Sequence, residues 1–115
     1  MISHVVLFSP KTDLGQEGRR QLLDALVAAS AEIPSIKGFR VGRRVKHGLP
    51  GYEQHMADDY QFAAIVEFDD LEGLTAYLTH PSHVSLGAHF GAPGSHALAY
   101  DYTLVDARDV RQLTE

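Results

Sequence analysis

The sequence predicts an α+β protomer in which a four-stranded antiparallel sheet carries its helices on one face, in the split βαβ or ferredoxin-like order. Two observations predict it. Hydrophobic periodicity along the chain runs strand, helix, strand, strand, helix, strand. Two of those strands are apolar on both faces, so the sheet is covered twice, by helices on one side and by something else on the other. With 115 residues, 44% apolar and 22% charged, the chain has the composition of one globular domain rather than a disordered segment. It is long enough to bury about two-thirds of the surface its unfolded chain would expose. We take residues 1–115 as a single domain with a core over about 2–105.

The first strand is "ISHVVLF", residues 2–8, with Ile2, His4, Val6 and Phe8 on one face and Val5 and Leu7 on the other. The turn-rich "SPKTDLG" leads into a helix over 16–33, where Leu22, Leu26, Ala29 and Ile33 recur at helical spacing and Pro34 stops the helix. "GFRVGRRV", 38–45, alternates Phe39, Val41, Arg43 and Val45 against Arg40, Gly42 and Arg44, as a half-buried strand does. Residues 46–59, "KHGLPGYEQHMADD", have no clean period and form a long loop, either a cover beside a cavity or a tolerated insertion. The third strand is "YQFAAIVEF", 60–68.

Asp69 or Asp70 caps the second helix, whose core stripe is Leu71, Leu74 and Leu78. Tyr77 then falls at the flank of that stripe, about 110° from its centre. His80 precedes Pro81 and is pushed out of the helical region, so the helix ends near Thr79 with His80 turned toward solvent. Pro81 suits the first position of a further short helix, "PSHVSLGAHF". After the loop "GAPGS", the last strand spans 96–105, and "DARDVRQLTE" is a polar tail.

An apolar second sheet face is too large a patch for a monomer, so a homodimer formed sheet against sheet is expected, with Val6 or Ile65 among the partner-facing positions. The net charge of -5 argues against nucleic acid or an anionic membrane as partner. The basic cluster Arg43, Arg44 and Lys46 reads as a solvated strand edge. No cysteine is present, which removes thiolate chemistry, disulfides and Cys-ligated zinc. The start of the chain reads as a strand, not a signal peptide, and no apolar run approaches a membrane span, so a soluble, cytoplasmic protein is expected.

Seven histidines and the stretch "YLTHPSHV" draw attention to residues 77–84. Tyr77 and His83 lie six residues apart with a proline between them, so they meet only if the chain reverses at Pro81. A neutral histidine beside a tyrosine hydroxyl suits proton abstraction next to a carbonyl and steadying of the enolate oxygen, with no metal or organic cofactor. Against this stands a simpler assignment, His83 bonding a backbone carbonyl at a helix start and Tyr77 an ordinary core contact. His4 likewise reads either as a hydrogen-bonded core residue or as a pocket group. His80, His83 and His89 lack an H-E-x-x-H pattern, and Pro81 breaks their helical spacing, so no metal site is expected.

The pieces "HVVLF", "IPSIKGFRVGRRV", "IVEFDDLEGLTAYLTHPSHV" and "YDYTL" together resemble the stress-responsive dimeric α/β-barrel (Dabb) domain family over roughly residues 2–105, "HPSHV" being the most specific. The resemblance implies a ferredoxin-like protomer whose dimer makes a shared barrel. Polyketide cyclases of the family imply a catalytic pair at Tyr77 and His83 and a pocket-lining histidine at His4. Where they carry a further pocket histidine this chain has Phe62, which allows a different substrate chemistry. The function expected is therefore a homodimer with a small-molecule pocket, either a cofactor-independent cyclase closing a ring in a polyketide-like or aromatic substrate, or a non-catalytic dimeric stress-associated or ligand-binding protein.

Overall fold

The structure, a computed structural model, describes residues 1–114. Its elements follow in order as β1 (Ile2–Ser9), α1 (Gln16–Glu32), β2 (Gly38–Arg43), a 3-10 turn (Glu53–His55), β3 (Phe62–Phe68), α2 (Leu71–Leu78), α3 (Pro81–Phe90), β4 (His96–Thr103) and a kinked 3-10 segment (Ala107–Thr114). The strands form one antiparallel sheet in the order β2-β3-β1-β4. Hence the fold is the ferredoxin-like α+β arrangement, with β1 and β3 paired at the centre.

Alternation and burial identify the two faces. His4, Val6 and Phe8 of β1 and Ala64, Val66 and Phe68 of β3 sit beneath the helices. They pack with Leu22, Leu26, Ala29 and Ile33 of the α1 region, Leu74 and Tyr77 of α2, and Leu86 of α3. The opposite face presents Val5, Leu7, Ala63 and Ile65, half-buried and apolar. Val6 thus belongs to the core, and Ile65 with Val5 to the open face. Because both faces of β1 are apolar, alternation alone does not say which one meets the helices.

Three further expectations change. β2 ends at Arg43 rather than Val45 because it is an edge strand, and Val45 is exposed. The stripe of α2 is Leu74, Tyr77 and Leu78, while Leu71 is 65% exposed at the first helical position. Tyr77 consequently lies within the core face, 2% exposed, and not at its flank. His80 is not turned out to solvent: it is the N-cap of α3, its Nδ1 accepting from the Ser82 N–H at 3.1 Å. Asp70 caps α2 by accepting from the Gly73 N–H at 2.9 Å.

The long loop folds on itself. Gly48 and Gly51 take positive φ, 75° and 89°, which the turns there require. The Gly48 N–H donates to Glu53 Oε1 at 2.5 Å, holding that carboxyl below its ordinary range. Arg44 and Lys46 both reach Asp59, at 2.7 and 2.6 Å.

Candidate functional site

Local chemistry brings His83 to Tyr77. α2 stops at Leu78, His80 is set extended by Pro81, and Pro81 opens α3 at a new angle. His83, on the first turn of α3, then turns back over α2, and its ring lies 4.6 Å from the Tyr77 ring, centroid to centroid. β1 delivers His4 from below, 5.6 Å from Tyr77 and 6.3 Å from His83. Phe68 closes the far side of Tyr77 at 5.2 Å.

The hydrogen bonds assign protons. His83 Nδ1 lies 3.1 Å from the Leu78 carbonyl oxygen, which can only accept, so Nδ1 carries the hydrogen and Nε2 keeps its lone pair. Burial pushes the His83 pKa below its ordinary 6.5, opposed by that carbonyl and assisted by the neighbouring His4. The imidazole is therefore neutral near pH 7. Burial also pushes the Tyr77 phenol up to about 12, so Tyr77 acts as a donor and not as a base. His4 Nδ1 donates to Asp101 Oδ1 at 2.5 Å, across the β1–β4 ladder where the two residues are directly paired.

Asp101 carries no role in the sequence reading, yet its signal is visible. In "HALAYDYT" it falls in phase with Ala97 and Ala99, on the face turned to the helices, where its carboxylate, 42% exposed on the edge strand, reaches the buried His4 ring.

Among the described residues, the Tyr77 hydroxyl and Nε2 of both His4 and His83 have no protein hydrogen-bond partner, and no buried side-chain nitrogen or oxygen is left unsatisfied. These polar tips therefore keep contact with space outside the protein. Phe62 is placed apart from them. It stacks on Phe8 at 5.5 Å, four residues along β3 from Val66, the partner of His4, or about 13 Å away. Phe62 lines a cleft of about 490 Å³ between α1 and the sheet and another of about 530 Å³ on the open face. The second is lined on one side by Met56, Ala57 and Asp58, so the long loop borders one end of the open face, away from the histidines. None of the described cavities is lined by Tyr77 or His83.

Residues 2–104 match the model of the stress responsive A/B barrel domain, Dabb. The chain belongs to this family. Within reach of it is olivetolic acid cyclase from Cannabis sativa, 22% identical over 102 residues that make up 89% of this chain and 95% of the cyclase. The dimeric ferredoxin-like protein from Thermobifida fusca superposes with a TM-score of 0.66 at 29% identity, covering 90% of each chain. Hydroxynitrile lyase from Passiflora edulis shares the fold with a TM-score of 0.75 at 18% identity, covering 92% of this chain and 94% of the lyase. The fold is thus shared with proteins named for different reactions, and the site has to carry the functional argument. No described helix is long and apolar enough to cross a membrane.

Proposed function

We propose that this Dabb protein is a homodimeric, cofactor-independent enzyme that closes a ring in a polyketide-like or aromatic substrate by acid–base aldol chemistry at Tyr77 and His83. The observation that carries it is the convergence of three rings, those of Tyr77, His83 and His4, each with a polar atom that has no protein partner, against an otherwise apolar core. His83 Nε2 takes a proton from a methylene flanked by carbonyls. The enolate carbon attacks a ketone carbon of the same molecule, forming one C–C bond, while the Tyr77 hydroxyl donates to the ketone oxygen as negative charge develops there. The proton on His83 passes to that oxygen, and loss of water completes the ring. His4, held by Asp101, stands beside the pair and orients the substrate. Its test is conversion of a linear poly-β-ketone thioester by wild type, Tyr77→Phe and His83→Ala, with cyclic product read against spontaneous lactone.

One observation favours binding without turnover. Tyr77 is 2% exposed and the described clefts open elsewhere, so a ligand at the half-buried His83 engages Tyr77 fully only if the core beside α3 yields. Binding in both variants with no product from any form, wild type included, would establish that alternative.

The shape of the open face supports the dimer. On the open face β4 projects Leu98, Tyr100 and Tyr102, whereas β2 presents Gly38, Arg40 and Gly42. One edge is thick and the other thin. A two-fold axis along the strands lays the tyrosines of one copy over the glycines and Arg40 of its partner, filling the space without collision. The dimeric relative from Thermobifida fusca supports it.

A further inference from the structure

We infer that the cleft of about 530 Å³ at the loop end of the open face is the seat of a second copy of this chain, which inserts Leu98 and His96 from the start of its own β4, so that the long loop is a clasp between protomers. The inference rests on the two-fold dimer proposed above and is independent of the chemistry assigned to Tyr77 and His83.

Register sets the level of each residue along the sheet. Gly42 pairs with Ala63, Ala63 with Leu7, and Leu7 with Leu98, so these four share one row of the open face, with Gly42 and Leu98 at its opposite edges. A two-fold axis along the strands exchanges the edges and keeps the row. Leu98 of the partner subunit therefore comes to lie over Gly42. A side chain added at Gly42 meets nothing within 4 Å, so the protomer leaves that volume empty. Two residues further along, His96 pairs with Ser9, and the Arg44 N–H donates to the Gln61 carbonyl at the other edge. The same exchange brings His96 of the partner subunit over Arg44.

The lining of the cleft suits both side chains. Leu7, Ala63 and Met56 offer Leu98 an apolar bed, and in the lone protomer Met56 is 57% and Leu98 37% exposed, a cost that their contact removes. Beside Arg44 stands Asp58, whose carboxylate has no ion-pair partner among the described residues, Arg44 and Lys46 both being held by Asp59. That carboxylate accepts from the imidazole N–H of His96 of the partner subunit. The wall of the cleft is built within one chain. Ser9 Oγ donates to the Asp59 carbonyl and accepts from the Gln61 N–H, both at 3.0 Å, which pins the returning limb of the loop to the end of β1. The contact is made twice in each dimer, since each copy gives its β4 and receives the other's.

The chain has no cysteine, so single substitutions report contacts without background. Leu98→Cys and Met56→Cys protomers, mixed and left to exchange, are expected to form a covalent dimer with a short bis-maleimide. Neither variant alone cross-links to itself, because its two thiols lie at opposite edges of the dimer. Adding His83→Ala leaves the cross-link unchanged, which separates the clasp from the catalytic proposal. Met56→Asp sets a charge against Leu98 at a position exposed in the protomer, and is expected to raise the dimer dissociation constant at least about tenfold with the circular dichroism spectrum preserved. A protein that sediments as a dimer but gives no cross-link between the two cysteine variants, or whose dissociation constant is unchanged in Met56→Asp, would overturn the clasp and leave the dimer standing. A wild-type monomer would overturn both.

Discussion

At the scale of single residues, the site depends on the protonation of two side chains. His83→Ala is expected to abolish cyclisation with the fold retained, measured by product analysis and thermal melting. Tyr77→Phe loses one oxygen-directed hydrogen bond, worth about 2–4 kcal/mol in the barrier, and slows turnover roughly 30- to 10³-fold. The pKa shifts also set pH dependence. His83 is depressed below 6.5 in the folded state, so on acidification the unfolded chain takes up its proton first, and stability falls as pH drops below about 6.5. His83→Gln should flatten that limb in denaturant titrations. Tyr77 is raised to about 12 from 10, so its contribution is present below pH 10 and lost as pH rises toward 12. Tyr77 and His83 were legible as a pair because proline spacing and family resemblance pointed to them. Asp101 was not assigned, because its partner His4 is distant in the chain and only strand register brings the two together.

At the scale of elements, the α2–α3 corner brings Tyr77 and His83 of the candidate site together. Asp70 caps one helix and His80 the other, with Pro81 fixing the angle between them. Asp70→Ala is expected to cost about 1 kcal/mol of stability with little effect on the Tyr77–His83 contact, read by urea unfolding. Pro81→Ala frees His80 to continue α2 and should weaken ligand binding more than it weakens the fold. Element order was readable from period alone, and helix ends from Asp70, Pro34 and Pro81. What the period misjudged was α2, where Leu71 seemed a core residue. A leucine at the first helical position precedes the point at which α2 meets the sheet, so the stripe begins with Leu74 and includes Tyr77. Phe62 and His4 share the helix-covered face, but the strand's 3.3 Å rise per residue keeps four residues well apart, a separation that alternation alone does not reveal.

At the scale of the whole molecule, the protomer is a slab of 47 × 42 × 19 Å, thick enough for one sheet and one helical layer. Its open face carries Val5, Leu7, Ile65, Leu98 and the exposed Tyr100 and Tyr102. Sedimentation at micromolar concentration is expected to give a dimer. Ile65→Asp should dissociate it, and Gly42→Leu should weaken it by filling the thin edge where Tyr100 or a neighbour is received; added atoms at Gly42 meet nothing within 4 Å in the protomer itself. An unchanged dimer in Gly42→Leu would argue for the other two-fold arrangement. The need for a partner was legible from two-faced strands, whereas the thick and thin edges emerge only from the register. The most direct test is the product formed from a linear poly-β-ketone thioester by wild-type dimer and by dimeric His83→Ala. The expected result is an aromatic cyclised product from wild type and only spontaneous lactone from the variant; equal products from both would contradict acid–base catalysis at Tyr77 and His83.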